Sequence, residues 1–235
     1  MAAMHPSAPT PLAAVIFYVL AYVAGIVAFA IVAKRRGLAT DGIAVIAACA
    51  LLAGALGAQL TQMLLGGVPG KSLLGGVACG FVAVILVKRA LGIVRPTGDL
   101  FAFAIATGEM IGRIGCYFAG CCYGKATHAA WGVMQHDELR HPTQLYSAFA
   151  AAATLAIIVA LERRRVLPEN GIFYVQGALL CASRFGIEFF REGPVTALGF
   201  TSAQIACVLG FAFFAYRLSG LTPRAAARVP AQAGG

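Results

Sequence analysis

Seven apolar runs separated by short polar breaks make up the chain. They cover residues 12–33, 43–65, 72–87, 100–120, 143–161, 171–190 and 196–216. Each is near the ~17–25 residues that a helix needs to cross a bilayer. The shortest, 72–87, is flanked by Lys71 and Lys88, whose stems can carry their charge back to the interface. Pro6, Pro9 and Pro11 make the first stretch an irregular tail, and Gly66-Gly67-Val68-Pro69-Gly70 reads as a turn. The longest break is 121–142. The pattern predicts an all-α polytopic integral membrane protein with seven transmembrane helices. It forms one domain over 1–235, with an outer tail at 1–11, an extracytoplasmic loop at 121–142 and a cytoplasmic tail at 218–235. The first run has no basic region before it and is too long for a cleaved leader, so it reads as a retained span.

Composition supports this pattern. The sequence is 60% hydrophobic and only 11% charged, against about 25% charged in soluble domains. The net charge of +9 therefore gives no reason to invoke nucleic acid. In a membrane protein it reports orientation and contact with anionic lipid. Twelve basic residues, at 34–36, 88–95, 163–165 and 217–228, fall on one side of the predicted spans. Four, Lys71, Lys125, Arg140 and Arg191, fall on the other, and the remaining two lie inside spans. This asymmetry places the N-terminus outside, the C-terminus in the cytoplasm and the 121–142 loop outside.

The two basic residues inside spans are Arg113 and Arg184. Glu109 lies four residues before Arg113, Glu188 four after Arg184, and Arg191 follows one turn later. Residues four apart share a helix face. A charge at the bilayer centre costs at least ~2.5–3.5 kcal/mol, so these groups call for a reason. One reading is two ion pairs that lock helices together. The other is a pair of arginines at matched depth that clamp an anion, with the glutamates steadying them. Guanidinium forks suit phosphate, and in an outer-leaflet cavity the obvious phosphate is a phospholipid headgroup. The two readings are compatible.

Gly108 and Gly112 form a small-xxx-small pair suited to close helix approach. Cys49, Cys79, Cys181 and Cys207 lie in apolar runs as small hydrophobes. Cys116, Cys121 and Cys122 cluster at the end of the fourth run, open to readings as packing residues, a disulfide, or a metal or redox group with His128, His136 or His141. Their C-x4-C-C spacing matches no standard zinc pattern, and no metal is expected. Gly70-Lys71-Ser72 resembles the end of a P-loop, but Leu65 stands where its first glycine belongs, and no strand precedes it. Trp131 reads as an interfacial anchor.

Several of these residues fall into a longer pattern. Gly112-Arg113-Ile114-Gly115, then Gly120 and Gly124, precede Arg140-His141-Pro142-Thr143-Gln144-Leu145-Tyr146. Arg184-Phe185-Gly186-Ile187-Glu188-Phe189-Phe190-Arg191 follows, and Phe17-Tyr18 and Tyr22 lie in the first run. The set resembles the prolipoprotein diacylglyceryl transferase family. That resemblance implies an enzyme of the bacterial inner (plasma) membrane. It would move the diacylglyceryl group of phosphatidylglycerol to the lipobox cysteine thiol of a secreted precursor protein, with no cofactor. It also implies Arg113, Arg184 and His141 as catalytic residues. Tyr18, Glu109, Cys116, Gly120, Gly124, Gln144, Tyr146, Glu188 and Arg191 would bind substrate. Leu74 stands where the family has a histidine, a candidate base for the thiol; Cys116 replaces an asparagine, Cys121 an acidic residue and Ser147 a glutamate. His141, His136, His128 and Glu109 are then the candidate bases. The alternative reading is a lipid-binding or lipid-modifying paralogue with another acceptor or no transferase activity.

Overall fold

The computed structural model describes residues 10–66, 73–193, 196 and 199–221, without the side chains of 62, 65, 66, 73 and 74. The proline-rich tail, the 67–72 turn with Lys71, the Leu74 side chain and the C-terminal tail lie outside the described residues. Seven helices are present among them: α1 (Pro11–Arg35), α2 (Asp41–Gly66), α3 (Leu73–Ala90), α4 (Gly98–Phe118), α5 (Thr143–Arg164), α6 (Gly171–Glu188) and α7 (Ser202–Ser219). Four regions, Pro11–Arg35, Asp41–Thr61, Thr143–Arg164 and Ser202–Ser219, are long and apolar enough to cross a membrane. The helices that carry Glu109, Arg113, Arg184 and Glu188, α4 and α6, are not among the four.

Two departures from the expected helices have local causes. The last helix begins at Ser202 rather than near 196, because Thr201 and Gln204 cap each other reciprocally, and this capping box starts the helix there. The fourth helix stops at Phe118 rather than 120, because Gly120 turns left-handed at φ 63°. The 121–142 stretch is also more than a polar loop, a small addition to an otherwise all-helical fold. It contains a hairpin of β1 (Val133–Gln135) and β2 (Glu138–Arg140). Its turn residues, His136 and Asp137, both have positive φ, the geometry that matches strand twist in a two-residue turn. Three-residue strands carry too little alternation to be read from sequence.

The chain forms two compact units, Ala30–Pro96 and Met1–Phe29 with Thr97–Gly235. In the first, α2 and α3 pack through small residues. Gly57 lies against Cys79 and Gly75 against Thr61, while a Cβ on Gly80 would come within 3.2 Å of the Ala50 carbonyl. Close backbone approach of this kind is the usual way to join helices where apolar side chains gain nothing over lipid. Leu52, Leu56 and Phe81 point outward.

In the second unit α4 is central. Its small residues face α1, where Phe17 stacks on Phe118 at 5.2 Å. Gly115 is the tight contact, with room for a Cβ only 3.0 Å from Tyr18. Gly108 and Gly112 would accept a methyl at 3.5 and 3.7 Å, so the expected close approach lies one turn further along. Polar pins also join α4 to α6. Asp99 accepts from the backbone N–H of Asn170 at 3.1 Å and of Phe173 at 2.9 Å, and Asn170 Oδ1 accepts from Gly98 N–H at 2.9 Å. Each helix start thus supplies a cap for the other, answering N–H groups that have no partner within their own helix. Arg113 is fifteen residues beyond Gly98, and Arg184 is fourteen beyond Asn170. At about 1.5 Å rise per residue, both reach nearly the same level, about 21–23 Å from the pinned ends.

Candidate functional site

The matched depth brings the charged residues into one cluster. Arg113 donates to Glu109 at 3.3 Å within α4. Arg184 pairs with Glu188 at 2.8 Å in α6, and Arg191 Nε lies 3.8 Å from the same carboxylate. Glu188 also accepts from the Thr201 hydroxyl at 3.4 Å, which ties the end of α6 to the start of α7. Arg184 is close enough to feel the charges of both Arg191 and Arg113. The cluster therefore joins three guanidiniums to two carboxylates and keeps one positive charge in excess. Arg184 Nη1 is buried and has no hydrogen-bond partner among the described residues. A buried donor without a partner costs about 1–3 kcal/mol, and a bound acceptor would relieve that cost.

Glu109 and Arg184 line the same crevice between α4, α5 and α6, together with Ser147, Thr154, Gln176 and Ser183. Its volume of ≈ 10 Å³ holds about one water. The polar lining is unusual for a contact between apolar helices and marks a path that hydrated groups can use.

The end of α4 folds back on itself. Gly120 N–H bonds to the Tyr117 carbonyl at 3.1 Å and Cys121 N–H to the Cys116 carbonyl at 3.2 Å. This is the paired closure of a helix by a left-handed glycine. It returns Cys121 and Cys122 to the turn that holds Cys116. The three sulfurs lie within 4.8 Å of one another, and all seven cysteines are free thiols. The Tyr18 hydroxyl donates to Cys116 Sγ at 3.6 Å. Cys122 lies beyond the helix, where bonds with Cys116 and Cys121, and then the charges of Arg191 and Arg113, hold its thiol below the usual range despite burial. The same pairings, with burial, push Cys121 up.

The start of α5 fixes this turn. Thr143 Oγ1 donates to the Cys122 carbonyl at 2.8 Å, and Gln144 Nε2 donates to the Cys121 carbonyl at 2.7 Å. Gln144 is fully buried, and its Nε2 also reaches Gln135 at 3.2 Å. Gly124 is wedged between the Phe190 carbonyl and His141, with 2.6–2.7 Å left for a Cβ. His136 Nε2 lies 2.8 Å from the Gly120 carbonyl. Arg140 bonds to the Gly124 carbonyl, Glu138 and Glu192, at 3.2, 2.6 and 2.9 Å.

His141 and Tyr146 form a neighbouring aromatic group. Trp131 Nε1 donates to the Tyr146 hydroxyl at 2.8 Å, and His141 Nδ1 lies 3.1 Å from that hydroxyl. Phe190 closes the group at 5.0 Å from the His141 ring. With Trp131 donating to it, the hydroxyl can still either give its proton to Nδ1 or accept one from it, according to the imidazole tautomer. The structure therefore gathers Tyr18, Glu109, Arg113, Cys116, Arg184, Glu188 and Arg191 in one place. Gly120, Gly124 and Gln144 hold the turn above it, and His141 and Tyr146 lie in the adjoining group. Sequence reasoning missed Asp99, whose partners are 71 and 74 residues away. It also missed Arg140 as the hub of the loop, and Trp131 as a partner of Tyr146.

Comparison with known proteins agrees with the spacing of these groups. The sequence model of the prolipoprotein diacylglyceryl transferase family matches residues 10–218. The chain belongs to this family. Curated relatives named phosphatidylglycerol–prolipoprotein diacylglyceryl transferase include one from Campylobacter hominis, 31% identical over 157 residues (63% of this chain and 56% of the relative). The Geobacter sulfurreducens relative is 33% identical over 159 residues (65% and 60%). That of Campylobacter lari is 33% identical over 117 residues (48% and 43%). The chain thus spans about half the length of these relatives. Family membership accounts for both arginine-bearing helices and the loop between them, because all lie within the matched residues.

Proposed function

We propose that this protein is a phosphatidylglycerol–prolipoprotein diacylglyceryl transferase of the bacterial inner membrane, built as one seven-span domain. The N-terminus faces outward and the C-terminus lies in the cytoplasm. The twelve-to-four split of basic residues supports this orientation. The observation that carries the function is the buried, unpartnered Nη1 of Arg184 beside Arg113. Arg113 and Arg184 receive the phosphate of phosphatidylglycerol, and Glu109, Glu188 and Arg191 hold the guanidiniums in place. The acceptor thiol gives its proton to a base, for which His141 and Glu109 are the candidates in or beside the cluster, and its sulfur bonds to the terminal glyceryl carbon. The C–O bond to phosphate breaks and the electron pair leaves with glycerol phosphate. Charge grows on that phosphate as the bond breaks, and fixed guanidiniums in a dry site stabilise it more than they do the substrate. His141 and Tyr146 shape the outer edge of the site, Tyr18 and Cys116 its floor, and Gly120, Gly124 and Gln144 the covering turn.

The test uses purified protein, phosphatidylglycerol labelled in its diacylglyceryl part and a lipobox peptide. Wild type should label the peptide thiol. Arg113→Ala and Arg184→Ala should each slow transfer by about 10²–10³-fold, the usual cost of removing one such donor. A second reading, favoured by Leu74 in the place of the family's histidine, is a protein that binds the lipid without transferring it. Arginine-dependent lipid binding with no transfer by wild type would favour that reading. A gain of transfer in Leu74→His would then identify a transferase weakened at its base.

A further inference from the structure

Three thiols meet beside the arginine cluster, and the family reading gives two of them, Cys121 and Cys122, no task. Cys116, Cys121 and Cys122 hold their sulfurs within 4.8 Å of one another. Tetrahedral zinc with thiolates at about 2.3 Å would set them about 3.8 Å apart, a small contraction. Among the described residues no His, Asp or Glu joins the three at that spacing. A zinc ion there would have three protein ligands and one open position, the arrangement of catalytic rather than structural zinc. Zn²⁺ with three thiolates carries one negative charge, and the cluster of Arg113, Arg184 and Arg191 with Glu109 and Glu188 carries one positive charge in excess. Cys122 lies within electrostatic reach of Arg113, Arg184 and Arg191, so the three thiols sit beside the arginines assigned to the lipid phosphate. The Tyr18 hydroxyl, 3.6 Å from Cys116 Sγ, supplies the outer-shell contact that orients such a ligand.

We propose that Cys116, Cys121 and Cys122 form a three-thiolate zinc site whose open fourth position takes the acceptor's thiol. The inference rests on the transferase reading for its acceptor, but not for its ligands. A thiol bound to zinc gives up its proton outright, which passes to solvent as the acceptor displaces a zinc-bound water. The bound sulfur then attacks the glyceryl carbon, the C–O bond breaks and glycerol phosphate takes the electron pair. The product thioether is a poor ligand for zinc and leaves, and water returns. Coordination would thus do the work of the base that Leu74 cannot supply.

The experiment loads full-length protein in detergent with Zn²⁺ or Co²⁺ after chelator treatment. One equivalent of Zn²⁺ should bind. Co²⁺ should give the intense visible bands of a tetrahedral thiolate site, and these should change on adding a lipobox peptide with Cys but not one with Ser. Cys122→Gly tests the site without endangering the fold, because Cys122 sits at φ 61°, where glycine is favoured. It should weaken metal binding by more than the ~10–100-fold that loss of an outer-shell partner costs. Tyr18→Phe should weaken it about 10-fold. Failure to bind stoichiometric metal, a disulfide among the three cysteines, or full affinity in Cys122→Gly would overturn the proposal. Transfer by metal-stripped protein would overturn it while leaving the transferase reading intact. A peptide-dependent Co²⁺ spectrum without any transfer would keep the thiol site and overturn the reaction instead.

Discussion

The two compact units join their helices by different means. In the Ala30–Pro96 unit, α2 and α3 meet through glycines and small side chains, with Gly57 against Cys79 and Gly75 against Thr61. In the other unit, α4 and α6 are held by the Asp99–Asn170 caps and by the charges further along. Small-residue contacts allow close packing but do not fix register strongly, since glycine and alanine repeat along both faces. A buried carboxylate with two N–H partners fixes register to a single residue. Catalysis on a phosphate needs the second kind of joint, because a guanidinium displaced by one turn would miss its partner.

The comparison can be broken most severely at the arginines. Arg184→Lys keeps the charge but loses the planar fork, and transfer should fall by about 10²-fold with little change in thermal unfolding. Normal transfer by this variant would reduce the clamp to a simple point charge. Asp99→Ala should come next. It leaves two backbone N–H groups without their acceptor, at about 1–3 kcal/mol, and transfer should drop because the two arginines lose their common level. Thermal unfolding in detergent measures the first effect and labelled-lipid transfer the second; unchanged transfer would refute the register argument. Gly57→Ala overpacks the α2–α3 contact at Cys79 and should cost a similar 1–3 kcal/mol, but each folded molecule should keep its activity. Gly108→Ala should have the smallest effect, within about 0.5 kcal/mol, because a methyl there meets its nearest atom at 3.5 Å. A larger loss would show that α1 and α4 pack more tightly than the structure implies.

Much of the site was legible because its residues lie in local patterns. The four-residue spacings of Glu109 with Arg113 and of Arg184 with Glu188 mark shared helix faces, and both pairs are ion pairs in the structure. The apolar runs marked all seven helices to within a few residues at most ends, with the largest shift where the Thr201 cap sets the start of α7. What escaped the sequence depends on distant partners or on backbone conformation. Asp99 reads as an ordinary acidic residue in a first turn until Asn170 is beside it. The approach of Cys121 and Cys122 to Cys116 depends on the left-handed turn at Gly120, which residue spacing does not encode. The β1–β2 hairpin is too short to show a periodicity.

The reciprocal caps of α4 and α6 also bear on biogenesis. Asp99 leaves the ribosome 71 residues before Asn170. In that interval α4 carries Asp99, Glu109 and Arg113 with no α6 to receive them, a heavy load for a segment entering lipid. We expect α4 to stay at the insertion machinery until α6 arrives, so that the two enter the bilayer as a pair. A chain ended after α5 should leave position 109 open to water-soluble thiol reagents in a Glu109→Cys variant, and the full-length chain should shield it.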